Sequence, residues 1–192
     1  RQRQMCIRDR LRWDRRDLQA RFGSMGDRLY HLARGEDTRR VNRDERMKSI
    51  SAETTFDDDT ADPDILDGHL WRLAERVSDR AKAKDLAGRT VTLKLKQADF
   101  QILTRRHSLQ DPTQTADRLY REARALFGAG HTPGPFRLIG VGLSDLTPAG
   151  DADRMSDLLD PQAASRRAAE RATDAIRARF GKDAIIKGRA LR

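Results

Sequence analysis

The segment Gly88–Leu109, GRTVTLKLKQADFQILTRRHSL, narrows the possible folds of this chain more than any other stretch. In its first half, apolar residues alternate with threonines and lysines, and this period of two predicts a β-strand. A turn near Gln97–Asp99 would join strands near 89–96 and 100–107 into a hairpin. One face of the hairpin is apolar, whereas the other carries Lys, Arg and Thr. We therefore expect a sheet that packs on helices and leaves its basic face open.

Segments on both sides of the hairpin predict further strands and helices. Met47–Thr55 alternates as a strand does, and the acids Asp57–Asp59 are expected in the turn that follows it. An Asp-Pro pair then begins a helix over 62–84, as N-cap and first-turn preferences favour. After the hairpin, an Asp-Pro-Thr sequence is expected to begin a second helix over 111–128. Phe136–Leu143 is a nearly continuous apolar strand.

The order strand, helix, strand, strand, helix, strand is that of a split βαβ, ferredoxin-like fold. The expected fold class is α+β, with a four-stranded antiparallel sheet, the hairpin at its centre, and two helices on one face. Short helices are expected before this domain. A C-terminal helix is expected after it, over Gln162–Arg179, and leads into a short strand or tail.

The ends of the chain differ in character from the predicted α+β domain. The first ten residues, RQRQMCIRDR, lack apolar periodicity and are interpreted as a cap foreign to the natural protein. A genuine basic arm that binds nucleic acid is the alternative. The chain is accordingly divided into the cap (1–10), a helical segment (11–37), a basic linker (38–47), the α+β domain (48–148), and the C-terminal helix and tail (149–192).

The charge of the chain favours a polyanionic partner. The formal net charge is +9, which favours nucleic acid over an arginine-rich composition that merely reflects a GC-rich genome. Aromatic residues make up only 5% of the sequence, which argues against single-strand binding by base stacking. No segment is long enough to span a bilayer and no signal peptide is recognised. The expected protein is therefore cytoplasmic and nucleoid-associated, without a membrane partner.

The sequence offers no convincing catalytic or metal-binding constellation. Cys6 is the only cysteine, and the four histidines lack the spacing of metal ligands. Gly140 and Gly142 lie inside a predicted strand and so do not form a dinucleotide-binding loop. We predict no catalytic residue, no metal ligand and no cofactor within this chain. An enzyme with a cleft between the second helix and the tail is an alternative, which the lack of clustered acid, base and nucleophile residues argues against.

The pattern does predict a surface that binds phosphate. Hydroxyl groups, cations and backbone N–H groups contact phosphates and fix register without reading sequence. Residues of these types collect on the outward side of the predicted sheet. The predicted DNA-binding residues are Lys48, Ser49, Ser51, Thr92, Lys94, Lys96, Thr104, Arg105, Arg106 and Arg137.

Two other interpretations of this basic face stay open. Its charges could simply protect a solvated sheet from edge pairing. The domain could also be a free-standing basic ferredoxin-like module associated with RNA or the ribosome. An RNA-recognition fold has the same element order, but the aromatic side chains that stack bases on its central strands are missing here, with only Phe100 at the start of a strand.

Three stretches resemble the little-finger domain of the Y-family of translesion DNA polymerases. They are Lys48–Phe56 (KSISAETTF), Gly88–Leu109 and Phe136–Leu146 (FRLIGVGLSDL). Leu18–Asp37 resembles the end of the thumb domain of that family, and Arg171–Leu191 resembles a C-terminal extension of some bacterial members. The motifs follow one another in the order that the family has.

The resemblance implies a role in error-prone DNA synthesis past lesions and in DNA repair. In that family a palm domain holds two Mg²⁺ ions and catalyses nucleotidyl transfer. The little finger grips the primer-template duplex through its phosphates, without sequence specificity. Palm and finger motifs have no counterpart in this sequence. The chain is therefore expected to be a monomeric C-terminal part of such a polymerase, inactive by itself and without a metal of its own.

The resemblance also implies a protein partner. Members of the family often bind the sliding clamp through a Gln-Leu-x-Leu-Phe-like peptide, and the corresponding zone here reads RMSDLL and lacks the Gln. Met155, Leu158 and Leu159 are the candidate clamp contacts. Otherwise the two leucines would simply pack against the third helix.

Overall fold

The computed structural model describes residues 7–40, 46–130, 133–153 and 160–191. It divides the chain into two compact units, Arg1–Glu45 and Arg46–Arg192. The predicted domain boundaries, including the foreign cap, stay predictions beside this division.

The first unit contains short helices, α1 (Ile7–Leu11), α2 (Arg15–Phe22) and α3 (Ser24–Ala33). A glycine allows α2 and α3 to approach closely. A Cβ atom on Gly26 would lie 1.9 Å from the carbonyl oxygen of Leu18, so only a residue without a side chain fits there.

The second unit contains the predicted α+β domain. Its strands are β1 (Ser49–Thr60), β2 (Leu86–Gln97), β3 (Ile102–Thr113) and β4 (Phe136–Pro148). Its helices are α4 (Pro63–Lys82), α5 (Ala116–Gly128) and α6 (Ala163–Phe180). The N-cap Asp62 accepts the N–H groups of Asp64 and Ile65, which confirms where α4 begins.

The four strands form one antiparallel sheet in the order β1-β4-β2-β3. Strand β4 lies between β1 and β2, so the βαβ unit is split as predicted. Helices α4 and α5 pack on one face, which confirms the predicted fold class. The hairpin was expected at the centre of the sheet, but only β2 is central, because β3 forms an edge.

The core lies between the sheet and these two helices. The strand residues that face it are apolar, and so are those of α4 and α5 that meet them. The largest fully buried side chains are Trp71, Tyr120 and Phe136. Each buried side chain of this size contributes about 1.5–3 kcal/mol to the stability of the fold. The core therefore holds the sheet against the helices, and packing does not require the opposite face of the sheet.

Two predicted boundaries are wrong, and both involve longer strands. Asp57–Asp59 lie inside β1 and not in a turn. The Asp-Pro-Thr sequence ends β3, and α5 begins only at Ala116. Pro112 has no N–H group to donate to a neighbouring strand, but β3 is an edge strand, where one missing donor is tolerated.

The buried carboxylate of Glu170 helps to fasten helix α6 to the domain. This side chain is 5% exposed and accepts the backbone N–H groups of Ala116 and Asp117 at 2.8 and 3.2 Å. It therefore caps the N-terminus of α5. Lys82 donates to the same carboxylate at 2.6 Å and to Asp174 at 2.7 Å. Burial by itself would raise the pKa of Glu170, but these donors outweigh burial and lower it.

The end of the chain folds back over the outer side of the helices. After α6 it forms two 3₁₀ turns, Lys182–Ala184 and Gly188–Leu191, and not the strand that was one of the expected forms. The Arg189 guanidinium lies 4.6 Å from the centre of the Tyr120 ring. In the described ranges, no helix is long and apolar enough to cross a membrane.

Candidate nucleic-acid interface

The face of the sheet opposite the helices is built mostly from small, hydroxyl-bearing and basic residues, together with Glu53, Leu138 and Ile102. Successive strand residues point to opposite faces, so the strand register decides which residues share this open face. They form four rows across the strands β1, β4, β2 and β3: Ser49, Ser144, Thr90 and Ser108; Ser51, Gly142, Thr92 and Arg106; Glu53, Gly140, Lys94 and Thr104; Thr55, Leu138, Lys96 and Ile102.

One end of the open face is a row of hydroxyl groups. Thr90 and Ser108 lie 2.9 Å apart through their hydroxyl oxygens, and Thr90 also donates to Asp145 at 2.5 Å. Ser144 and Thr90 were not among the predicted DNA-binding residues, because neither lies in the part of its strand where basic residues collect. The alternation of β2 and β4, extended to the full strand lengths, would have identified both.

The middle of the open face has two positions without a side chain, of which Gly140 is buried and Gly142 is half-buried. Gly140 and Gly142 lie on the central strand β4, between Ser51 and Glu53 on one side and Thr92 and Lys94 on the other. The two glycines therefore leave a shallow trough between side chains of β1 and β2. Sequence reasoning excluded these glycines as a dinucleotide loop but did not predict this role, because it depends on which strands flank β4.

Cations border the trough on the side of the hairpin. Lys94 donates to Glu53 across the trough at 2.8 Å, which places one negative charge on the face. Arg106 is exposed, and no carboxylate in the described parts of the chain pairs with it. Ser49, Ser51, Thr92, Lys96 and Thr104 also lie on the open face, as predicted, and Lys48 is exposed just before β1.

Arg105 does not share this face, although it was predicted there with Arg106. Its register partner is Leu93, so it points to the helix side of the sheet. Its guanidinium donates to the carbonyl oxygens of Leu126 and Phe127 at 2.9 and 3.4 Å. Arg105 thus stabilises the C-terminal turn of α5, where carbonyl groups lack partners inside the helix. Because neighbouring strand residues alternate, one arginine of the pair must face the helices.

Replacing Arg105 by Ala is expected to lower the free energy of unfolding by about 1–2 kcal/mol, since a charged donor to helix carbonyls is lost. Arg106→Ala is the matched control, and it should change stability by less than about 0.5 kcal/mol because its side chain is exposed. Urea denaturation followed by circular dichroism measures both. Equal stability of the two variants would contradict the different roles of the neighbouring arginines.

Arg137 lies at the start of β4, where the strand register shifts. It forms a double hydrogen bond to Asp59, at 3.0 and 2.9 Å. This contact lowers the pKa of Asp59 and raises that of Arg137. One of the acids expected in a turn, Asp59, therefore holds a predicted DNA-binding cation in place. The guanidinium of Arg137 also lies 4.6 Å from the centre of the Phe100 ring.

The structure gives less information on the predicted clamp contacts, on metal sites and on clefts. The candidate clamp contacts Met155, Leu158 and Leu159 lie outside the described residues. Among the residues that are described, no group of three or more His, Cys, Asp or Glu side chains could hold a metal ion. A polar cavity does lie between α6 and the segments 114–115 and 152–153, and Lys82 is paired there with Glu170 and Asp174.

The chain is similar to a family of known proteins. Residues 47–158 match the model of the impB/mucB/samB family C-terminal domain. DNA polymerase IV 1 of Mesorhizobium japonicum is 49% identical over 175 residues, which are 91% of this chain and 40% of that protein. DNA polymerase IV of Brucella melitensis is 47% identical over 171 residues, 89% of this chain and 38% of its own length. The chain thus spans about two fifths of the curated relatives that it matches.

Proposed function

This chain belongs to the impB/mucB/samB family through its C-terminal domain, and we propose that it grips primer-template DNA for an error-prone translesion DNA polymerase. The similar proteins are named DNA polymerase IV. The part proposed for this chain is binding, and nucleotidyl transfer with Mg²⁺ is proposed for the whole polymerase.

The observation that supports this proposal best is the composition of the open face. Its trough is lined by Ser51 and Thr92 and bordered by Lys94 and Arg106. Hydroxyl and cationic groups bind phosphate oxygens, and the half-buried Gly142, which has no side chain, lets a phosphate backbone come close between Ser51 and Thr92. The four rows contain no Asn or Gln, whose amides pair with the edge of adenine. We therefore propose binding without sequence specificity.

Duplex DNA fits this face better than single-stranded RNA. Stacking platforms for unpaired bases need aromatic side chains on the central strands, and the rows of β2 and β4 contain none. The cations lie on several strands of the sheet. This spread suits the broad surface of a duplex, where phosphates of both strands can be contacted. DNA damage tolerance, a monomeric state and contact with a sliding clamp belong to the same proposal.

A salt titration of duplex binding tests the proposal. Five candidate cations, Lys48, Lys94, Lys96, Arg106 and Arg137, border the face, and log K should fall with log[salt] with a slope of roughly −4 to −5. Duplexes of different sequence should bind about equally. Absence of salt dependence, or preference for single-stranded RNA over primer-template DNA, would overturn the proposal in favour of a different partner.

A further inference from the structure

The turn between β2 and β3 presents an aromatic side chain to solvent at one end of the open face. Phe100 is 58% exposed, and its φ of 72° lies in the left-handed region, which bulky residues rarely adopt. The turn is closed by hydrogen bonds from Phe100 N–H to Gln97 and from Gln97 N–H to Gln101, at 3.0 and 2.9 Å. A constrained backbone thus holds an apolar ring in water, which is typical of functional positions.

Two cations from different strands lie against this ring. The Lys96 ammonium is 4.5 Å and the Arg137 guanidinium 4.6 Å from the ring centre. Asp59 fixes the Arg137 guanidinium through its double hydrogen bond. Phe100, Lys96 and Arg137, here called the tip cluster, therefore combine an aromatic ring exposed to solvent with two positive charges.

An unpaired nucleotide matches the tip cluster in shape and charge. Its base can stack on an aromatic ring while its phosphates lie beside cations. A base inside a duplex has both faces covered by its neighbours and cannot stack in this way. The composition argues against an extended single-strand surface, but one ring is enough for one base. An apolar protein segment is the competing occupant, and the two cations together with continuity with the phosphate-binding face favour nucleic acid.

We propose that the tip cluster binds an unpaired nucleotide of single-stranded DNA that adjoins the duplex on the open face. This inference rests on the proposed function, because the duplex must lie along the trough for the overhang to reach Phe100. The cluster would then favour junctions between paired and unpaired DNA over blunt duplex.

The 192-residue chain, blunt duplex DNA and the same duplex with a single-stranded overhang test this proposal. The overhang carries 2-aminopurine at successive unpaired positions, so stacking on Phe100 quenches its fluorescence at one of them. Phe100→Ala is expected to weaken binding of overhang DNA about tenfold, as loss of one base-stacking contact does. Its binding of blunt duplex should not change.

Two further variants separate stacking from apolar contact. Phe100→Leu keeps apolar bulk without a π face and should lose as much overhang binding as Phe100→Ala. Phe180→Ala is the matched control, because Phe180 is an exposed phenylalanine (65%) at the end of α6 and outside the open face, and it should bind as the unchanged chain does. Circular dichroism verifies that each variant is folded.

The outcomes distinguish this inference from the proposed function. Normal overhang binding by Phe100→Leu would overturn stacking and point to an apolar docking site for protein. Equal losses in Phe100→Ala and Phe180→Ala would show that overhang binding does not depend on the tip cluster. If blunt duplex binds but an overhang adds no affinity, only the tip-cluster inference fails. If blunt duplex does not bind at all, the proposed function itself fails.

Discussion

Replacing Lys94 and Arg106 together by Ala is expected to weaken binding of duplex DNA by about 60-fold at about 0.1 M salt. Each cation that neutralises a phosphate releases condensed counterions, which contributes a factor of about eight at this salt concentration. The slope of log K against log[salt] should become shallower by about 1.8, since two phosphate contacts are lost. Fluorescence anisotropy with a labelled duplex at several salt concentrations measures both quantities.

A charge-matched variant separates the open face from overall charge. Arg76 and Arg124 are exposed on α4 and α5, on the other side of the sheet. Their joint replacement by Ala removes the same net charge but no residue of the trough, so affinity should fall by much less. Equal losses in the two double variants would contradict a binding surface on the sheet and indicate attraction by net charge alone.

Replacing Glu53 on the same surface is expected to strengthen duplex binding, whereas loss of Lys94 and Arg106 weakens it. Its carboxylate holds Lys94 at 2.8 Å and lies among the groups expected to meet phosphate. Glu53→Gln keeps the shape of the side chain and frees the Lys94 charge, so duplex affinity should rise about threefold, as expected for an exposed ion pair. Weaker binding by Glu53→Gln would place the phosphate backbone away from the trough.

The open face was largely predictable because strand alternation is a local property. The pattern around Thr92 and Lys94 already assigned both residues to the face opposite the core, and the register confirms it. The prediction that Arg105 and Arg106 share one face is wrong, because neighbouring residues of a strand point to opposite faces. Basic character suggested a shared role, whereas geometry gives them different ones.

Other features could not be predicted because they depend on long-range pairing. The order of strands places β4 between β1 and β2, and only that order makes Gly140 and Gly142 the floor of a trough. Local preference also misled where tertiary contacts override it. Asp59 has turn character by itself, but pairing with Arg137 holds it in an extended strand. The sequence around Glu170 contains no signal that its carboxylate caps another helix.

Replacing Glu170 by Ala is expected to lower the free energy of unfolding by about 3 kcal/mol. The change leaves the N–H groups of Ala116 and Asp117 without their acceptor and removes one of two carboxylates from Lys82. Breaking a buried ion pair costs about 3–5 kcal/mol, and the lower end applies because Lys82 keeps Asp174. Urea denaturation measures the change, and hydrogen exchange should show faster exchange in α6 and in the first turn of α5.

Asp174 and pH provide the controls for this prediction. Asp174→Ala should cost less than about 1 kcal/mol, because the Asp174 side chain is 35% exposed.

The pKa of Glu170 is lowered in the folded state, so its stabilisation is present above its unfolded pKa and is lost as pH falls through the folded pKa. Burial raises the pKa of the neighbouring Asp153. Asp153 therefore affects stability in the opposite direction, because its ionised form destabilises the fold. Glu170→Gln should therefore lose less stability in acid than the unchanged chain does. If the free energy of unfolding of Glu170→Gln depended on pH as that of the unchanged chain does, a charged Glu170 would not be a group that fastens α6.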